Sequence, residues 1–173
     1  MLGHVILSHG SSSGPEATKV SALARVAEGL GWSTSRPDYR PDDASGYAEA
    51  ARRRIARLTA AMRAVPRPLV LAGSSMGAFV SGPASLEAPC DALFLMALPV
   101  ALPEFPRRFD AAHGMRGMLV HGYRDELCPV AAALEVARAH GFTALLLDDD
   151  HRLSAHVDLI ACQFALFLRA ALP

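Results

Sequence analysis

Gly73-Ser74-Ser75-Met76-Gly77 is a G-x-S-x-G pentapeptide set between Pro68-Leu69-Val70-Leu71-Ala72, an apolar run of strand length, and Ala78-Phe79-Val80, an apolar segment that can open a helix. Strand, pentapeptide, helix is the order a strained turn needs in order to expose a serine hydroxyl. Glycines two residues to either side of Ser75 let neighbouring chain pass closely, and the turn aims the Met76 N–H at the point the hydroxyl faces. Serine is a poor nucleophile at neutral pH, so its proton must leave as it attacks. A histidine, with an ordinary pKa of about 6.5, can take that proton, and an aspartate can hold the imidazole in place. Both follow downstream. His121-Gly122-Tyr123-Arg124-Asp125 leaves one predicted strand, and Asp148-Asp149-Asp150-His151 leaves another. Loops after strand C-termini gather on one edge of a parallel sheet, so Ser75, Asp125 and His151 can converge. The roles expected are nucleophile for Ser75, base and then acid for His151, and orienting carboxylate for Asp125.

Attack on an acyl carbon also needs two N–H donors for the developing oxyanion. Met76 supplies one. The loop Ser8-His9-Gly10-Ser11-Ser12-Ser13-Gly14-Pro15 follows the first predicted strand and offers the second, with Ser11 as the donor; a plain turn leading to a helix begun by Pro15 is the structural alternative. His156 competes with His151 but falls inside the predicted final helix. Glu126 and Asp91 compete less well with Asp125. His9 and His121 each precede a glycine at a strand end, where they either line the floor of the site or serve as structural histidines. Asp148-Asp149-Asp150 reads as a solvated acidic loop, not a metal site. Tyr39, Tyr123 and Trp32 receive no role.

The elements that must position these groups alternate along the chain. Strands are expected at residues 4–8, 32–36, 68–73, 91–97, 116–121 and 142–147. Helices are expected at 16–30, 46–64, 76–84, 129–140 and 153–170. This alternation predicts an α/β fold with a mostly parallel six-stranded sheet and helices on both faces. Nearly continuous apolar strands such as Ala92-Leu93-Phe94-Leu95-Met96-Ala97 fit a sheet covered on both sides. The helix at 46–64 is expected to carry its arginines outward, with Ile55, Leu58 and Met62 toward the core. Between the fourth and fifth strands, Pro99, Pro103 and Pro106 break any long helix. That segment is either a surface excursion or a wall over the site, with Leu102, Phe105 and Phe109 lining an acyl pocket.

Composition narrows the classes. Hydrophobic residues make up 51% and charged residues 20% of the 173 positions, as in a globular protein. The formal net charge is zero, so nothing in it favours nucleic acid or an anionic membrane as partner. Lys19 is the only lysine; arginine supplies the rest of the basic character. No apolar run reaches spanning length and the N-terminus shows no leader pattern, so a cytoplasmic protein of one domain, residues 1–173, is expected. Cys90, Cys128 and Cys162 lack metal-ligand or C-x-x-C spacing, and no disulfide is expected. Cys128 stands at a predicted helix start, where a thiol pKa can fall. Oligomeric state is left open.

Together, Ser8-His9-Gly10, Gly73-Ser74-Ser75-Met76-Gly77, His121-Gly122-Tyr123-Arg124-Asp125 with Pro129, and Asp150-His151-Arg152-Leu153 resemble the α/β-hydrolase superfamily over nearly the whole chain. The resemblance implies a Ser75–Asp125–His151 triad and an oxyanion hole from Met76 and Ser11. It implies hydrolysis of a small ester, thioester or related acyl bond through an acyl-enzyme, with no metal or organic cofactor. The chain starts at what would be the family's third strand and carries no large cap. A minimal fold lacking the first two strands, with an open site poorly suited to long-chain lipids, is therefore expected. The alternative is a protein that keeps this scaffold for binding, with little turnover; the fold alone does not separate the two.

Overall fold

A computed structural model describes residues 1–171; the last two positions of the 1–173 span lie outside the described residues. In chain order the elements are β1 (His4–Ser8), α1 (Thr18–Gly29), β2 (Ser33–Ser35), α2 (Arg40–Asp43), α3 (Tyr47–Arg63), β3 (Leu69–Ser74), α4 (Met76–Glu87), β4 (Ala92–Met96), β5 (Arg116–Gly122), α5 (Val130–His140), β6 (Thr143–Leu147), a 3-10 turn (Ser154–His156) and α6 (Val157–Ala170). The strands form one six-stranded sheet in the order β2-β1-β3-β4-β5-β6, with every neighbouring pair parallel. The C-terminal ends of all six strands therefore lie on one edge.

Side-chain alternation along the strands builds two cores. Ile6, Leu69, Leu71, Leu93, Leu95 and Leu119 point to one face, where Ile55, Leu58 and Met62 of α3, Phe79 of α4 and Ala133 and Ala137 of α5 meet them. Val5, Leu7, Val70, Ala72, Phe94, Met96 and Val120 point to the other, against Val20, Leu23 and Ala27 of α1 and Ile160, Phe164 and Phe167 of α6. Neighbours in sequence thus feed opposite cores, which is why these strands read as continuous apolar runs. Burying a large aliphatic or aromatic side chain contributes about 1.5–3 kcal/mol, so both faces hold the sheet rigid beneath its loops.

Several expected boundaries shift. α1 spans Thr18–Gly29 within the expected 16–30, and Pro15 and Glu16 lie in the preceding turn. α4 continues through Pro83 to Glu87. α2 was not expected; it follows Tyr39, whose ring is fully buried. Among the described residues, no helix is long and apolar enough to cross a membrane. The cysteines are free, Cys90 and Cys128 buried and Cys162 exposed.

Candidate active site

Ser75 sits at the β3–α4 junction with φ 53° and ψ −121°, a left-handed conformation that costs a non-glycine residue on the order of 1–3 kcal/mol. The surrounding structure enforces it. Ser75 N–H donates to Met96 O of the adjacent strand (2.9 Å). A Cβ on Gly73 would run into the backbone of Gly77, and one on Gly77 into Ser8 O of β1. Both glycines are required because chain crosses directly against them.

His151 reaches the serine from the loop after β6. Its Nε2 lies 2.9 Å from Ser75 Oγ and its Nδ1 lies 2.8 Å from Asp125 Oδ2. The Asp125 side chain is fully enclosed and its acceptors are used: Oδ1 takes the N–H groups of Leu127 (3.0 Å) and Cys128 (2.8 Å), leaving Oδ2 for the imidazole. Ionised Asp125 therefore holds His151 with Nδ1 protonated and Nε2 free to accept from the serine hydroxyl. His121, also fully buried, donates from Nε2 to Cys128 O (2.8 Å) and lies 3.3 Å from Asp125 Oδ2, which closes the back of this pair. It packs behind the site instead of flooring the cavity.

The loop that delivers His151 is itself pinned. A Cβ on Gly122 would run into Asp149 O, so the acidic loop can lie on the end of β5 only over a glycine. Asp149 is buried, contrary to the expectation of a solvated acidic run. It accepts from Asp150 N (2.8 Å), Ala155 N (3.1 Å) and His156 Nδ1 (2.8 Å). These bonds, with the His156 bond prominent among them, hold its carboxyl below the usual carboxylate range although burial pushes the other way. His156 is committed to that role and does not approach the serine. Asp91 lies at the far end of β3, paired with Arg67 and accepting from Leu69 N, so it cannot serve as the orienting acid.

The second donor loop shows a residue the sequence reading placed wrongly. Arg54 of α3 was expected among outward arginines, yet its side chain is fully buried. It grips Asp43 through Nε (2.8 Å) and Nη2 (2.5 Å), and donates to His9 O (2.7 Å) and Gly10 O (3.2 Å). Gly10 O also accepts from His9 Nδ1 (2.7 Å) and Ser13 Oγ (3.0 Å). In a trans peptide the carbonyl and the next N–H point oppositely, so fixing Gly10 O toward Arg54 turns the Ser11 N–H away from it. Ser11 and Met76 both line the cavity at Ser75. Met76 is the first residue of α4, where backbone N–H groups lack helical acceptors. A signal for Arg54 was present: positions 51, 54, 58 and 62 share one helix face, and the other three are apolar.

His9 is corrected as a substrate-binding residue. It is fully buried behind the donor loop, with Nε2 accepting from Tyr39 N (2.9 Å) and its ring tilted on Tyr39 at 5.3 Å. Burial is the main cause that lowers its pKa. Tyr39, left without a role, anchors this region, with the Arg54 guanidinium 4.7 Å above its ring.

The open cavity around Ser75 has a volume of about 710 Å³. Leu102 lines it, beside Pro99, Ala101, Pro103, Leu127 and Cys128. Phe105 and Phe109 do not. They pack edge-on against Phe79 at 5.4 and 6.3 Å, and Phe109 fills the notch over Gly82, where a side chain would collide with it. Phe109 therefore joins the core beneath α4, and Phe105, half-buried, packs against that core. Cys128 is corrected too: the helix starts after Pro129, and burial, reinforced by Asp125, pushes the thiol up to about 12. Its sulfur, Asp125 and His151 present ligand atoms within 4.8 Å, but the imidazole nitrogens and the carboxylate oxygens are already engaged and the thiol is held protonated, so the trio makes a poor metal site.

No family model matches the chain, and no curated protein does. Solved structures do. A protein of Xanthomonas campestris pv. campestris assigned to the alpha/beta superfamily of hydrolases is 44% identical, with 97% of this chain and 99% of that one covered at a TM-score of 0.92. Two more distant structures share the fold. Est1E from Butyrivibrio proteoclasticus is 17% identical, with 98% of this chain and 88% of that one covered at 0.75. An α/β serine hydrolase without lid from Xanthomonas campestris is 21% identical, with 98% and 83% covered at 0.71. With that identity over nearly its full length and a parallel sheet whose loops assemble Ser75, His151 and Asp125, the chain belongs to the α/β-hydrolase superfamily.

Proposed function

We propose that this protein is a serine hydrolase that cleaves a small ester or thioester through an acyl-enzyme. The observation that carries the reading is the continuous hydrogen-bonded chain from Ser75 Oγ through His151 to Asp125, with bonds of 2.9 and 2.8 Å. Ser75 Oγ attacks the acyl carbon while His151 Nε2 takes its proton. Asp125 stabilises the imidazolium without itself becoming protonated. The carbonyl oxygen, now an oxyanion, receives the N–H groups of Met76 and Ser11. As the intermediate collapses, His151 returns the proton to the leaving oxygen or sulfur, and a stable acyl ester remains on Ser75. Water, deprotonated by His151, then attacks that ester, and as the bond to Ser75 Oγ breaks His151 returns the proton to Oγ and the acid is freed. Tyr47 and Leu127, both exposed, line the cavity and leave it open to a substrate approaching from solvent.

The test is labelling with a fluorophosphonate, wild type beside Ser75→Ala, followed by peptide mapping. One adduct on Ser75, absent from the variant, is the expected result. A folded wild-type protein that takes no label and turns over neither p-nitrophenyl esters nor acyl thioesters overturns the reading in favour of a binding role.

A further inference from the structure

Acyl transfer at Ser75 does not by itself require charge elsewhere in the cavity, yet the lining is charged on one side. Besides His151, the ionisable basic groups on it are Lys19, the chain's only lysine, and Arg152; no carboxylate lines it among the described residues. In a chain of zero formal net charge this is a local imbalance. The nearby carboxylates lie off the lining, and each is hydrogen-bonded to another group. Asp43 is held by Arg54, Asp149 by His156 and two backbone N–H groups, and Asp125 lies enclosed behind His151. Asp150 is exposed and accepts from the Arg152 backbone N–H (2.7 Å).

The two cations are placed together. Lys19 Nζ donates to the Arg152 carbonyl, and both residues also line an adjoining recess of about 340 Å³ with Gly10, Ser74 and Ser154. Ser74 belongs to both spaces, so the cationic end begins one residue from the nucleophile. The Arg152 guanidinium makes no ion pair among the described residues, which leaves its donors available. Lys19 is half-buried, where a charge is screened less than at an open surface. Burial is also the main cause that lowers its pKa, against the opposing pull of Asp149 and Asp150. Leu102 and Pro103, on the connection after β4, give the same cavity an apolar wall.

From this asymmetry, and resting on the acyl-hydrolase reading above, we propose that the substrate is an anionic ester or thioester, carrying a carboxylate or phosphate that Lys19 and Arg152 bind while its apolar part lies along Leu102 and Pro103. Arginine offers a planar fork and lysine a mobile point charge, and both suit such a group.

Matched ester pairs test this. One pair is 4-nitrophenyl hydrogen adipate and its neutral methyl ester, which places the anion on the acyl side. The others are 4-acetoxybenzoate and 4-acetoxyphenyl phosphate, each beside its neutral methylated form, which place a carboxylate or a phosphate on the leaving-group side. Each rate is divided by that of hydroxide hydrolysis to remove leaving-group reactivity. In at least one pair the anionic member is expected to show a kcat/KM about tenfold higher or more at low salt. Added NaCl should erode that preference, and the double variant Lys19→Met/Arg152→Gln should reduce the ratio at least about fivefold. The pair that responds identifies the anion and its side. No anionic preference in any pair, or a preference unchanged in the double variant, overturns the proposal. Binding of all three anionic esters to Ser75→Ala, followed by ligand-observed NMR with and without the double variant, separates the two readings. Anion binding that depends on Lys19 and Arg152 in a protein that neither labels nor turns over would sink the hydrolase reading and keep the anion site; no such dependence for any of the three would sink the anion site.

Discussion

Ser75, His151 and Asp125 come from three different loops, and each is held by bonds that do not involve the other two. Ser75 hangs from Met96 O, Asp125 from the Leu127 and Cys128 amides, and the His151 loop from Asp149. The geometry is therefore set before a substrate arrives, as electrostatic preorganisation requires. Replacing Ser75 with Ala should lower turnover of an activated ester by about 10⁴- to 10⁶-fold. Wild-type-like turnover in that variant would remove Ser75 from the mechanism. The histidines separate on the same assay. His151→Ala should lose activity on that scale, whereas His156→Ala, which loosens the loop without touching Ser75, should retain a measurable fraction of it.

The secondary-structure elements matter here mostly through their junctions. The end of β1, the β3–α4 turn and the end of β5 each carry a glycine or a clamp that lets two chain segments approach. Gly77→Ala places a methyl group against Ser8 O, which is backbone and cannot rotate away. That variant should lose at least about 3 kcal/mol of stability in urea unfolding or fail to accumulate as soluble protein. A wild-type urea midpoint would show that the crossing of β1 and α4 is looser than described. At the other junction, Arg54 acts through Gly10 O on the orientation of the Ser11 N–H. Arg54→Met should cut kcat by about 100-fold, the scale of losing one oxyanion donor, with a smaller change in KM. Circular dichroism checks that the protein remains folded, and an unchanged kcat would detach α3 from the chemistry.

Across the whole molecule, buried histidines link stability to pH. Burial is the first cause that lowers the pKa of His4, His9 and His140 in the folded chain. His4 uses both ring nitrogens on Ser33 and Ser35 hydroxyls (2.7 and 2.9 Å), and His9 must keep Nε2 bare to accept from Tyr39 N. On acidification the unfolded chain takes up protons at about pH 6.5 while the folded chain resists. The unfolded state then binds more protons, so stability is full above about pH 6.5 and declines as the pH falls below it. The melting temperature should hold between pH 8 and 7 and drop steadily toward pH 5. A flat profile to pH 5 would mean that these side chains do not stay neutral in the fold.

What the sequence by itself determined was the order of strands and helices, the Gly73–Gly77 turn, and the placement of Asp125 and His151 just past strand ends. Each is written locally, in apolar periodicity or in a short motif whose backbone demands a particular residue type. Only the tertiary structure decided which way side chains face. Phe105 and Phe109 carry no local mark that separates a pocket wall from a core ring; Phe79 and the notch at Gly82 settle it. Asp149 looks like its neighbours Asp148 and Asp150 until His156 folds back onto it. Arg54 sat on an apolar helix face, yet its partners are Asp43 and two carbonyls after β1, and only packing α3 against that loop brings them within reach. A side chain's partners across long sequence separations are a property of packing, and no local pattern encodes them.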